Sequence, residues 1–391
     1  FDRVIERRGT NCSKWDSDPR TIEGVDYPVG SPLPLWIADM DFEVAPEITR
    51  ALTERARHGV FGYTLIPDSC YDAIIDWEAR RHGWRIEREW IQFAPGAVPA
   101  AHMAVQAFCQ PGDRIIIQQP VYYPFFRTVL DNGAQIANNP LVLCGGRYEI
   151  DFEDFERQAR DPRTTLFILC SPHNPVGRVW SREDLERLGD ICARNGVRVF
   201  ADELHCDILM SGCKHHPFGN VDAVCRDNSM TVIAPSKTFN LAGLQATVVI
   251  TPNPRMRLLY ENVLARNSIP RPNLFAITGL EAAYKHGERW LDELLVYIEG
   301  NYDFLVNYLK ERLPQVRVMP LEGTFLAWMD FSALEPDPYA LQKRMLTEAN
   351  VWLDEGWVFG PEGNGFERLV LACPRSILKD ALDRIVRAFG R

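Results

Sequence analysis

Lys237 lies in the segment Ala234-Pro235-Ser236-Lys237-Thr238-Phe239-Asn240, directly after the apolar run Thr231 to Ala234. An amine delivered by the end of a buried strand can be desolvated, which lowers its pKa and lets it act first as a nucleophile and then as a base. Asp202-Glu203-Leu204-His205 follows Val197 to Ala201 in the same way, so a carboxylate emerges from a buried run. Ser171-Pro172-His173-Asn174-Pro175-Val176-Gly177 places an amide among turn formers after Leu166 to Leu169, and Pro120-Val121-Tyr122-Tyr123-Pro124 places two rings after Arg114 to Gln118. A short strand from Ile91 runs through Gly96-Ala97 into a helical pattern over Ala100 to Cys109, and the start of a helix offers free N–H groups and a positive dipole end to a phosphate. Taken singly, each has an ordinary explanation: packing rings, a turn Asn, a capping Asp, a solvated lysine, a plain strand–turn–helix junction. Taken together, they are groups suited to one cofactor, each at the end of a strand.

The elements that must position them follow from patterning. Nearly continuous apolar strands separated by amphipathic helices require a sheet buried on both faces, so the middle of the chain is predicted to be α/β with a mostly parallel sheet. Such sheets bind ligands beyond the carboxyl ends of their strands. Ser181, with Asp184 three residues on, opens a helix that Asn195-Gly196 closes. A helical face runs from Ile277 to Leu313, interrupted near Gly287 and ended by Pro314. Beyond it, Val316 to Met319, Thr324 to Met329 and Arg368 to Ala372 read as strands and Lys379 to Phe389 as a terminal helix. The expected organisation is an N-terminal arm with part of a small domain over residues 1–49, a large domain over 50–289 and a C-terminal small α+β domain over 290–391.

Charge and composition exclude several classes. The 391 residues carry 43 basic and 53 acidic side chains, a net charge of −10 that disfavours nucleic acid as a partner. No run approaches the ~18 apolar residues of a membrane span, and the opening FDRVIERRGT is charged where a signal peptide is apolar, so a cytoplasmic location is expected. The ten cysteines include no C-x-x-C pair and are expected to be reduced and mostly buried. His205, Cys206, Cys213, His215 and His216 imitate a zinc ligand set. No second ligand pair follows at finger spacing, however, and Cys206 and Cys213 flank the apolar Ile208-Leu209-Met210, so no metal is expected. No G-x-G-x-x-G opens a helix after a strand, which excludes a nicotinamide dehydrogenase.

In this order the strand-end segments resemble the fold-type-I pyridoxal 5'-phosphate enzymes, with the aspartate aminotransferase-like fold, and within them the MalY/PatB cystathionine β-lyase (C–S lyase) family. The resemblance extends over nearly the whole chain, through Leu35-Trp36-Ile37-Ala38-Asp39-Met40-Asp41-Phe42, Phe61-Gly62-Tyr63-Thr64, the SPHNPVG and SKTFNLAG segments, Lys285 to Asp292, Glu322-Gly323-Thr324-Phe325 and Cys373-Pro374-Arg375-Ser376. WIADMDF and Asp202-Glu-Leu-His205 point to the C–S lyase branch.

The resemblance implies a role for each matching residue. Lys237 would bind pyridoxal 5'-phosphate as a Schiff base, and Asp202 would pair with the pyridine nitrogen and keep the ring an electron sink. Tyr122 would stack on the ring, with Asn174 and His205 toward its phenolic oxygen. Gly96, Ala97 and Ser236 would hold the phosphate, reached also by Tyr63 from the second subunit of a homodimer that shares its active sites. Arg375 would clamp the substrate carboxylate, helped by the Ala38 backbone. Tyr123 is a second acid/base group or a pocket wall. Many aminotransferases of this fold carry a Ser three residues before the lysine and an Arg eight after it, where this chain has Ala234 and Gln245. His205 stands where they usually have Tyr. The implied reaction is α,β-elimination on cystathionine or another S-substituted L-cysteine, giving a thiol, pyruvate and ammonia. Transamination, a biosynthetic variant of the lyase chemistry, and a regulatory protein partner that no motif reports are the alternatives.

Overall fold

The computed structural model describes residues 1–269 and 271–390, so Pro270 and the last residue of the expected 290–391 unit lie outside it. The central sheet has seven strands: β1 (Ile91–Ala94), β2 (Arg114–Ile117), β3 (Gln135–Asn138), β4 (Thr164–Cys170), β5 (Arg198–Asp202), β6 (Ser229–Ile233) and β7 (Thr247–Ile250), in the spatial order β1-β7-β6-β5-β4-β2-β3. The pairs from β3 through β6 are parallel, whereas β7 runs antiparallel to both β6 and β1.

The unbroken apolar runs have a direct cause. In β2, Ile115 and Ile117 pack with Val105 and Phe125 on one face, while Ile116 packs with Phe155 and Leu169 on the other. Side chains alternate across a strand, so a sheet covered on both faces requires apolar residues at every position. The helices that matter to the site are α1 (Ala97–Phe108), α2 (Arg182–Arg194), α3 (Leu274–His286), α4 (Glu288–Arg312) and α5 (Arg375–Phe389). The Ser181–Asp184 capping box at the start of α2 is formed in both directions. The break between α3 and α4 falls at Gly287, where a Cβ would lie 2.4 Å from Phe239 Cε1.

A second, antiparallel sheet comprises β8 (Arg317–Val318), β9 (Leu326–Asp330), β10 (Asp354–Glu355) and β11 (Phe366–Val370) in the order β8-β9-β11-β10. The N-terminal arm is stitched to this region rather than to the large sheet. Leu33 and Pro34 pair in parallel with Val351 and Trp352, Val370 N donates to Leu35 O at 3.0 Å, and Asp41 N donates to Ala372 O at 2.9 Å.

The elements after residue 315 differ from their expected bounds by a few residues. The strand expected over Thr324 to Met329 starts at Leu326, because Thr324 adopts φ +74, outside the extended region. The strand expected from Arg368 starts at Phe366, which places Arg368 in mid-strand opposite Trp328. The terminal helix starts at Arg375, directly after Pro374 at the N-cap, four residues before the apolar periodicity indicates. Helix α1 likewise starts at Ala97 rather than Ala100.

Candidate active site

Because β1, β2, β4, β5 and β6 point the same way, their C-terminal ends bring Gly96, Tyr122, Asn174, Asp202 and Lys237 to one edge of the sheet. A cavity of about 400 Å³ opens there, lined by Ala38, Gly96, Ala97, Tyr122, Tyr123, Asn174, Asp202, His205, Ser236 and Lys237. Strand β7 runs the opposite way, so its beginning lies at this edge, and Gln245 and Thr247 complete the wall.

Lys237 sits in the single helical turn Pro235–Thr238, and its Nζ donates to Ala38 O at 2.7 Å. Burial, reinforced by the charge of Arg368, lowers its pKa to about 8 against the opposing pull of Asp39 and Asp202. Asp202 closes β5. Burial raises its carboxyl to about 7, although its Oδ1 accepts from Leu204 N at 3.2 Å and Lys237 favours the charged form. His205 is buried, and its imidazole is driven well below its usual range by burial and then by Lys237 and Arg368, so it is neutral. Burial raises the Tyr122 phenol to about 12, with Asp202 contributing. Tyr123 is raised further, by the charge of Asp354 first and burial second, so it is a proton donor rather than a phenolate.

The WIADMDF segment holds the Ala38 carbonyl against Lys237. Asp41 takes Lys14 Nζ at 2.7 Å and Arg7 Nη1 at 2.6 Å, and Arg7 also pairs with Asp39 at 2.7 Å. The Lys14 side chain is fully buried, a position tolerable only for a charge with its partners in place. From the other side, Asn240 Oδ1 accepts from Met40 N at 3.0 Å and its Nδ2 donates to Met40 O at 2.9 Å, which ties the lysine loop to the arm. Below the lysine, Thr238 Oγ1 donates to Asp207 Oδ2 at 2.8 Å, and Asp207 Oδ1 also meets Trp77 Nε1 and His82 Nε2.

Two of the expected residues stand elsewhere. Arg375 does not line the cavity. Its Nε donates to Asn301 Oδ1, its guanidinium lies over the Phe304 ring and its backbone N–H donates to the Tyr297 hydroxyl, so the start of α5 turns it toward α4. The arginine in the cavity wall is Arg368. It donates to Asn174 Oδ1 at 3.0 Å and to Trp36 O at 2.8 Å and pairs with Asp354. The sequence signal for it is a cation inside the run Phe366 to Ala372, in which every residue, Arg368 included, is buried. Tyr63 is fully exposed, outside this chain's own cavity.

The zinc-like cluster disperses. His205 faces the cavity, His215 pairs with Glu203 at 2.8 Å, and Cys213 and His216 line a separate surface depression. Among the described residues, His82, Cys206 and Asp207 bring ligand-type atoms within 4.8 Å of one another, with the His82–Asp207 contact already a hydrogen bond.

The donor set fits an anionic, cation-bearing aromatic cofactor. Helix α1 has Gly96 at its N-cap and no side-chain cap, His205 Nδ1 is buried without a partner, and Asp202 and Lys237 line the same cavity. Fold and cavity together define a fold-type-I pyridoxal phosphate enzyme. The aminotransferase class I and II family model matches residues 32–385. Cystathionine β-lyase PatB of Bacillus subtilis is 47% identical over 390 residues, covering 100% of each chain. Protein MalY of Escherichia coli is 32% identical, covering 99% of this chain and 98% of that one. The solved structure of cystalysin from Treponema denticola, which contains pyridoxal 5'-phosphate, superposes with a TM-score of 0.95 at 34% identity over 100% of this chain and 98% of that one. The chain belongs to the class I and II aminotransferase family and, within it, to the PatB/MalY cystathionine β-lyase branch.

Proposed function

We propose that this chain is a pyridoxal 5'-phosphate-dependent carbon–sulfur lyase that cleaves cystathionine or other S-substituted L-cysteines to a thiol, pyruvate and ammonia. The observation that carries the reading is the convergence of Lys237, Asp202 and the uncapped start of α1 on one cavity whose wall has Gln245 and His205 where many aminotransferases of this fold have Arg and Tyr.

When bound, pyridoxal phosphate supplies a ring that withdraws electrons from the substrate Cα. The Gly96 and Ala97 N–H groups with Ser236 would hold its phosphate, Tyr122 would lie against its ring, and Asp202 would keep a proton on its nitrogen. Arg368, fixed by Asn174 and Trp36 O, binds the substrate carboxylate in the role expected of Arg375. Lys237, with its pKa lowered to about 8, takes the Cα proton as general base. The Cβ–S bond then breaks, and the thiolate leaves with a proton from the Tyr123 hydroxyl or the Lys237 ammonium. The three-carbon remainder hydrolyses to pyruvate and ammonia. Neutral His205 would hold the cofactor's oxygen together with Asn174.

A homodimer in the cytoplasm is part of the reading. Its support is the exposed apolar loop of Val60, Phe61, Tyr63 and Leu65, which a second copy would cover while receiving Tyr63. Among the described residues no helix is long and apolar enough to cross a membrane.

Cystathionine supplied without a keto acid tests the reaction. Release of thiol and pyruvate in equal amounts is the expected result; turnover only with a keto-acid acceptor would identify transamination instead.

A further inference from the structure

Beyond Tyr123, which lines both spaces, lies a second cavity of about 540 Å³ walled by Trp36, Trp352 and Trp357, with Glu23 and Glu355 on its sides. The Trp36 and Trp352 rings are stacked at 4.2 Å with an interplanar angle of 8°. The charges around it do not balance. Its one lining arginine, Arg127, is already engaged with Asp131, and its lining Asp354 is paired with Arg368 from the catalytic cavity. Glu355 and Glu23 have no ion-pair partner among the described residues. Glu355 is only 5% exposed, and its one side-chain hydrogen bond is from Gln342 Nε2 to Oε1 at 3.3 Å. Burial raises Glu355 to about 8, the mark of a carboxyl that lacks a cation.

Aromatic faces attract cations, and the attraction grows when both are desolvated. A buried carboxylate gains most from a partner of opposite charge. We infer that this cavity is a subsite for the S-substituent of the substrate and selects thioethers whose leaving group carries an ammonium or quaternary ammonium. The inference rests on the lyase reading for its reaction but not for its recognition chemistry. An apolar substituent of equal size would fill the same walls while leaving Glu355 protonated and Glu23 without a counter-charge, whereas a cation would be met by both carboxylates, so discrimination is expected in favour of the cation.

The test compares S-(2-aminoethyl)-L-cysteine with S-propyl-L-cysteine, and S-(4-aminobutyl)-L-cysteine with S-pentyl-L-cysteine, as kcat/KM on the holoenzyme. A cationic preference of about tenfold or more at either length is expected. Glu355→Gln should reduce that ratio toward one, and Glu23→Gln, at an exposed position that folding does not depend on, should reduce it less. No cationic preference at both lengths, or a ratio unchanged in both variants, overturns the inference. A parallel titration with tetramethylammonium against tert-butanol, followed by tryptophan fluorescence, needs no turnover. If no thioether is cleaved, the lyase reading fails and this arm decides the subsite alone. Tighter binding of the cation, weakened by Glu355→Gln, supports it, and equal binding overturns it.

Discussion

The two sides of the catalytic cavity are built in opposite ways. On the cofactor side, Asp202 ends a strand of one sheet and Gly96, Tyr122, Asn174 and Lys237 each follow a strand of that sheet within a few residues, so the backbone of the large sheet places them. On the substrate side, Ala38, Trp36, Arg368 and Asp354 come from the N-terminal arm and the small sheet, and polar contacts between distant segments hold them together. A parallel sheet makes its own site, since common strand direction alone gathers the strand ends. The opposite wall depends on a buried charge network of Arg7, Lys14, Asp39 and Asp41 and on Arg368 bridging to Trp36 O and Asp354. Damage should therefore take different forms: loss of chemistry on the first side, loss of substrate affinity on the second.

The largest effect is expected at Lys237. Lys237→Ala removes the base that takes the Cα proton, and kcat should fall by about 10³-fold or more, within the range for a positioned proton-transfer group. Because the lysine loop is held by Asn240 and Thr238 rather than by the lysine itself, the variant should keep the wild-type fold and thermal midpoint. An enzyme that loses only affinity for substrate would place Lys237 on the wrong side of the comparison.

The two arginines give the next contrast. Arg368→Lys keeps a cation beside buried Asp354 but removes the planar fork, and kcat/KM should fall by roughly 30-fold, the equivalent of about 2 kcal/mol for a charged hydrogen bond. Arg375→Ala, whose guanidinium is occupied by Asn301 and Phe304, should alter KM by less than about twofold and show its cost in thermal stability instead. Reversal of this pair, with KM raised by Arg375→Ala alone, would restore Arg375 as the substrate clamp.

The same contrast explains what could be read in the sequence. The cofactor side was readable because each functional residue is tied to a local pattern: an apolar run ending in Asp202, or TVIA running into Pro235-Ser236-Lys237. The antiparallel direction of β7 was not, since apolar composition does not encode strand direction, yet that direction is what brings Gln245 and Thr247 into the wall. Arg368 carries no local signal of its role, because that role lies in its partners Asn174, Trp36 and Asp354, two of which are more than 190 residues away along the chain. Arg375, by contrast, stands in the compact motif Cys373-Pro374-Arg375-Ser376. Its position as the first residue of α5 shows that the motif starts a helix.

The smallest effect sharpens the cofactor side through pH. In the cofactor-free chain, burial raises Asp202 from 3.8 to about 7, so the folded state holds a proton there that the unfolded state releases near pH 4. Stability then falls as pH rises from about 4 to 7, because the folded form binds more protons over that interval. Lys237 acts in the opposite sense on the alkaline side. Its pKa is lowered from 10.5 to about 8, the unfolded state binds the extra proton between those values, and stability rises with pH there. Asp202→Asn should abolish the acid-side contribution, raising the stability of the cofactor-free protein at pH 7 relative to pH 4.5 by on the order of 2 kcal/mol compared with wild type. Denaturant midpoints of the two proteins, measured at half-unit steps across that interval, should converge at the acid end and separate toward neutrality. Parallel curves would mean that Asp202 titrates as an exposed carboxylate does.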